Sequence, residues 1–97
     1  MAIAVQMDFH GASIQKYDEA VEIMGMIPGS PALRHELFHW VAGTDDGFRI
    51  VDVWESSESF ADFEQERLQP LCEKVGVQLP EIQVFSVHNY FARGRRT

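Results

Sequence analysis

Apolar and polar residues alternate from the start of the chain. Ile3, Val5, Met7 and Phe9 fall on one side of an extended segment, which predicts a first strand over residues 2–9. Gly11 breaks the alternation and Ser13 is placed to cap a helix. From there Ile14, Tyr17, Val21, Met24 and Ile27 recur at helical spacing, with Lys16, Asp18, Glu19 and Glu22 on the opposite side. Pro28-Gly29 is the expected stop.

Two further strands are predicted over residues 32–42 and 48–55, around Thr44-Asp45-Asp46-Gly47. Asp and Gly there are expected to supply left-handed dihedrals for a tight turn. Ser56-Ser57 can cap a second helix whose inner stripe is Phe60, Phe63, Arg67/Leu68 and Leu71. Pro70 cannot donate a backbone hydrogen bond, so a break is expected there, with a last short turn ending at Gly76. Residues 81–90 read as the final strand. Right-handed crossovers then place both helices on one side of an antiparallel sheet, giving a ferredoxin-like α+β fold of order β-α-β-β-α-β.

Helices on one side leave the other sheet face uncovered, and that face is not polar. A short loop at Asp45-Asp46 pairs the two central hairpin strands so that partner numbers sum to an odd value. His35, Leu37, His39 and Val41 then share the helix-facing side with Phe48, Ile50, Asp52 and Trp54. The other side carries Glu36, Phe38, Trp40, Val51 and Val53, joined by Phe85 and Val87 from the last strand. At about 1.5–3 kcal/mol per fully buried large side chain, covering this patch is worth several kcal/mol. A second copy of the chain, packed sheet to sheet, is the expected cover.

Composition narrows the picture. The 97 residues form one expected domain (1–92) followed by a basic tail (93–97), and 45% are hydrophobic. The formal charge is −7. Arg93, Arg95 and Arg96 supply three of the eight cations, so residues 1–92 set five cations against fifteen carboxylates. A body with that excess repels phosphate backbones, which argues against nucleic acid. No apolar run approaches a membrane span, and one cysteine, Cys72, allows no internal disulfide; a cytoplasmic setting is expected.

The candidate chemistry lies on the helix-facing side. The odd-sum pairing sets His39 beside Asp52, with Trp54 and His35 on the same side and Tyr17, Phe60 and Phe63 arriving from the helices. A carboxylate next to an imidazole fixes its tautomer and raises its basicity, as a general base needs. A His-Asp pair across two strands is also an ordinary structural contact. His10 and His88 read as structural or solvated residues and Cys72 as a small buried hydrophobe. The four histidines match no metal-ligand spacing. His35 and His39 lie about 13 Å apart by strand rise, so no metal is expected, and no cofactor motif occurs.

Several segments together resemble a known group: Pro28-Gly29, His35, Asp45-Asp46-Gly47-Phe48, Val51-Asp52-Val53-Trp54-Glu55-Ser56, Phe60 and Phe63, and Leu68-x-Pro70. The pattern resembles the dimeric α+β barrel proteins, most nearly the uncharacterised members related to antibiotic-biosynthesis monooxygenases, over roughly residues 2–90. The resemblance implies a homodimer with a small cavity between each sheet and its helices. It also implies either a cofactor-independent monooxygenase of a small aromatic or quinol, or a non-catalytic ligand-binding or stress-related accessory protein. The oxygenases of that group use an Asn and a Trp on the strand before the second helix. Trp54 matches the Trp, and Ile50 stands at the Asn position. The haem-degrading branch places a His on the second helix, and residues 56–75 contain none.

Overall fold

The computed structural model describes residues 1–25 and 33–91. Four strands and two helical arms follow in the expected order: β1 (Ile3–His10), α1 (Ile14–Met24), β2 (Glu36–Thr44), β3 (Gly47–Trp54), α2 (Ser57–Phe63), α3 (Gln69–Val75) and β4 (Glu81–Ser86). The sheet runs β2-β3-β1-β4 with every neighbouring pair antiparallel. This is the ferredoxin-like α+β architecture. No helix among the described residues is long and apolar enough to cross a membrane.

Alternation in β1 builds the core. Val5, Met7 and Phe9 are nearly inaccessible and meet Asp52, Ile50 and Phe48 of β3 in register. Phe60, Phe63, Leu68 and Cys72 close over them from the helical side, while Ile14, Tyr17 and Met24 of α1 pack at the margin, each partly buried. Both helical arms therefore lie on the same face.

Helix ends follow local chemistry, with two departures from expectation. Ser56 caps α2 through a reciprocal pair, its Oγ accepting from the Ser59 amide at 3.1 Å while Ser59 Oγ accepts from the Ser56 amide at 3.2 Å. Ser13 occupies the cap position of α1, but its side chain makes no capping bond. The helix ends at Met24 because Gly25 takes a left-handed conformation (φ 61°); Ile27, Pro28-Gly29 and the Arg93–Arg96 tail lie outside the described residues.

Pro70 does not break the second arm. Glu64–Leu68 form one π-helical turn between α2 and α3, and Pro70 sits in the first turn of α3. A wider turn accommodates a residue that lacks an N–H. The extra residue also advances the buried stripe, so that Leu68 rather than Arg67 follows Phe63, and Leu71, Cys72 and Val75 follow it. Gly76, at φ 77°, ends the arm as expected.

The β2–β3 hairpin closes through Asp45-Asp46, with Thr44 opposite Gly47. No non-glycine residue has a positive φ among the described residues, and Gly47 has none either, so left-handed dihedrals are not what this turn needs. Gly47 answers a different constraint: any Cβ there would run into the Phe9 carbonyl of β1. The last strand ends at Ser86, short of the expected residue 90, with one further bond from the Val87 amide to the Ala2 carbonyl at 3.1 Å.

We expect Gly47→Ala to lower stability by about 1–3 kcal/mol, the cost of overpacking a filled site. Gly43→Ala, where a Cβ would meet nothing within 4 Å, should be close to neutral. Thermal unfolding of the two variants tests the contrast, and equal midpoints would refute it.

Candidate functional site

At the β2 edge of the helix-facing side, four polar groups form a chain. Trp54 Nε1 donates to Asp52 Oδ2 at 3.2 Å, and His39 Nδ1 lies 2.7 Å from Asp52 Oδ1. On the other side of the ring, His39 Nε2 lies 2.9 Å from the Tyr17 hydroxyl. Asp52 is directly opposite His39 in the ladder, as the odd-sum pairing predicts. Its carboxylate is 2% exposed and the imidazole 33% exposed, so the chain runs from the interior to the surface.

A β-bulge between Glu36 and Phe38 adds a fifth group. Up to Phe38 the register follows the expected sum. Beyond it, Leu37 is the extra residue and Glu36 pairs with Trp54, which turns Glu36 to the helix-facing side. Its carboxylate is 9% exposed and reaches His39 Nδ1 at 3.2 Å. The same bulge moves His35 out of the cluster. The His35 carbonyl accepts from the Glu55 amide, and its ring pairs with the Glu55 carboxylate at 3.0 Å. His35 therefore does not share the site with His39, contrary to the regular-strand expectation. The sequence does carry a sign of the bulge: Glu36-Leu37-Phe38-His39 sets two apolar residues side by side where strict alternation allows one.

The electrostatics follow from this crowding. Burial opposes a charge on His39, but the hydrogen bonds and charges of Asp52 and Glu36 outweigh it and push the imidazole up to about 11. Burial raises Glu36 to about 7; the hydrogen bond from His39 works against this, and the nearby Asp52 charge adds to it. At neutral pH the imidazole is thus a cation and a donor, and Glu36 is the group poised to take or give a proton.

Trp54, Phe60 and Phe63 lie behind the cluster. Trp54 is 1% exposed, and its ring centroid lies 5.8 Å from Phe60 and 4.9 Å from Phe63. They form a filled wall, with no open platform between them. Tyr17 stands edge-on to Phe48 at 6.0 Å and beside the His39 ring at 6.1 Å, so its hydroxyl is held at the mouth. A separate depression of about 440 Å³ lies at the other end of the sheet, lined by His10, Ser13, Lys16 and Gln78 among others. His10 is there clamped between Asp46 (2.9 Å) and Glu81 (3.0 Å), tying the hairpin turn and the start of β4 to β1.

Solved structures share this fold. A candidate antibiotic biosynthesis monooxygenase from Chloroflexus aurantiacus superposes with a TM-score of 0.65 at 17% identity, covering 97% of this chain and 100% of that one. This chain has the fold of that structure. SnoaB, a cofactor-independent oxygenase from Streptomyces nogalater, matches at 14% identity and a TM-score of 0.54, over 92% of this chain and 93% of its own. A monooxygenase from the gene ActVA-Orf6 of Streptomyces coelicolor, bound to nanaomycin D, matches at 15% and 0.54, over 96% and 92%. No family model and no curated protein matches the sequence.

The two raised groups set a pH dependence. A folded pKa above the unfolded one means stability that is complete below the unfolded value and is lost on approaching the folded one. For Glu36 the loss runs from about 4.5 to about 7, and for His39 from about 6.5 to about 11. The melting temperature should therefore fall as pH rises through neutral into the alkaline range, and His39→Gln should flatten the alkaline part. An equal alkaline slope in both proteins would contradict the assignment.

Proposed function

We propose that this chain is a homodimeric small-molecule-binding protein acting as a cofactor-independent monooxygenase on a small hydroxyaromatic or quinol. The observation carrying the reading is the continuous chain Trp54–Asp52–His39–Tyr17 that ends at the surface. With both ring nitrogens of His39 protonated, Nε2–H donates to the Tyr17 oxygen. The Tyr17 O–H is then free to donate to a substrate oxygen, backed by a buried cation. That pairing stabilises a phenolate or enolate as it forms. Glu36, raised towards neutrality by burial, accepts the departing proton. The deprotonated ring then gives dioxygen four electrons: one oxygen atom bonds to a ring carbon as a carbonyl, and the other takes that carbon's hydrogen and the proton held by Glu36 and leaves as water. Asp52 and Trp54 act as positioning residues, and Phe60 and Phe63 as an apolar backing. The fold shared with SnoaB and the ActVA-Orf6 monooxygenase supports the reaction class.

A non-catalytic binder is the second reading, favoured by the filled wall of Trp54, Phe60 and Phe63. Oxygen uptake with a panel of quinols and hydroxyaromatics separates the two. Under the first reading Tyr17→Phe lowers kcat by about 10²–10³-fold, the usual cost of one lost oxyanion donor, and His39→Ala abolishes turnover. Ligands that raise the melting temperature but never consume oxygen would establish the binder instead.

The register supports the dimer by grading the outer sheet face. Phe38, Val53, Ala4 and Phe85 lie in one row across the four strands, and Trp40, Val51, Gln6 and Gln83 in the next. The following row is Ala42, Arg49, Asp8 and Glu81. The face thus runs from apolar to charged, where Arg49 grips Asp8 at 2.6 Å. Trp40 and Phe85 are 42% and 51% exposed, whereas Val53, at 5%, is already buried within one chain. We place a second copy over the apolar rows, with Val87 at their margin. Sedimentation equilibrium should give a dimer at micromolar concentration and a monomer for Trp40→Asp; a monomeric native chain would sink this assembly.

A further inference from the structure

Glu36, His39 and Asp52 present two carboxylates, that of Asp52 buried and that of Glu36 partly so, to one imidazole nitrogen. A neutral or protonated Nδ1 carries a single hydrogen, and Asp52, at 2.7 Å, takes the shorter bond. Glu36 Oε2 is left a longer share at 3.2 Å, and among the described residues no donor reaches its second oxygen. The Glu36 side chain, 9% exposed, thus points into the cluster, and among the described residues the long contact with Nδ1 is its one hydrogen bond there. Buried polar groups in that condition are costly and call for a further partner.

From this geometry we infer that Glu36, His39 and Asp52 form a binding site for one first-row divalent transition-metal ion. One ligand atom from each residue lies within 4.8 Å of the other two. The contacts of His39 Nδ1, 2.7 and 3.2 Å, match the separation of about 3 Å between neighbouring ligands on an ion with bonds of about 2.0–2.2 Å. With both carboxylates ionised and the imidazole neutral, a divalent ion balances their two negative charges. The donor set selects the ion. Calcium takes six to eight oxygens, and magnesium holds most of its waters. An imidazole with two carboxylates suits zinc or manganese, with room for water at the remaining positions.

The supporting contacts fit as well. Trp54 Nε1–H holds Asp52, and with Nδ1 on the metal the proton stays on Nε2, where Tyr17 Oη accepts it. A ligating histidine usually has such an outer partner. The ring is 33% exposed, so an ion has a route past it. The histidine pair considered from the sequence, His35 with His39, does not take part; the bulge replaces His35 by Glu36.

A metal on Nδ1 displaces the proton that the oxygenase reading places there, so the metal-bound cluster and the His39 cation are alternative states of one site, and metal binding is measured without turnover. The tag-free chain, stripped with a chelator, is titrated calorimetrically with Zn²⁺, Mn²⁺ and Ca²⁺ in turn. One Zn²⁺ or Mn²⁺ ion per chain is expected, with Ca²⁺ binding at least tenfold more weakly. Binding should raise the melting temperature reversibly on chelation. Glu36→Gln and His39→Ala should each weaken affinity tenfold or more, while His10→Ala, at the other acid-flanked histidine, leaves it unchanged. Glu36→Gln keeps the shape of the side chain and guards against loss of fold, checked by circular dichroism. No saturable binding by the native chain below about 100 µM, or binding that survives Glu36→Gln in the folded protein, overturns the inference.

Discussion

Asp52 is a carboxylate at 2% exposure on the floor of the sheet–helix interface, and its compensation organises one end of the molecule. Removing a charge from water costs several kcal/mol even after the surroundings relax. Here the cost is offset by an indole N–H on one oxygen and an imidazole on the other. The first contact fixes Trp54, and Trp54 in turn seats Phe60 and Phe63. The second fixes His39 and, through it, Tyr17 of α1. Strand, hairpin partner and both helical arms are thereby linked through one buried group.

The remainder of the inner face follows a simpler rule. Val5, Met7, Phe9, Phe48 and Ile50 alternate with polar or outward-facing residues and need no special compensation. The polar cluster is therefore confined to the edge formed by β2, where the imidazole meets solvent. A cluster placed at the centre would have no way to exchange protons, ions or ligands with its surroundings.

Much of this was legible in the chain. Alternation fixes β1 and β3, a two-residue turn fixes the register of the hairpin, and those two facts put His39 opposite Asp52 and Trp54 beside it. Tyr17 follows from helical spacing alone. The sides of Glu36 and His35 are not legible, because this bulge carries no Gly or Pro and changes faces only beyond itself. Pro70 marks a lost hydrogen bond without showing whether the chain ends or widens. Gly25 is masked as a helix end by the more conspicuous Pro28-Gly29 that follows it. The uncovered apolar face follows from counting apolar positions, and the register adds its direction, from Phe38 and Phe85 at one end to Arg49 and Glu81 at the other.

The bulge at Leu37 also governs how the site can change over descent. Side chains on a strand are assigned to faces by parity, so a length change of one residue exchanges every neighbour on the far side. With Leu37 kept but the ladder regular, Leu37 would stand opposite Trp54, Glu36 would turn outward and His35 would return to the helix-facing side, turning a carboxylate-rich centre into a two-histidine one. Absorbing the bulge would thus redraw the chemistry with no substitution at any ligand. Chains of this fold that look nearly identical by residue can therefore differ in what they hold, according to whether β2 is bulged or regular.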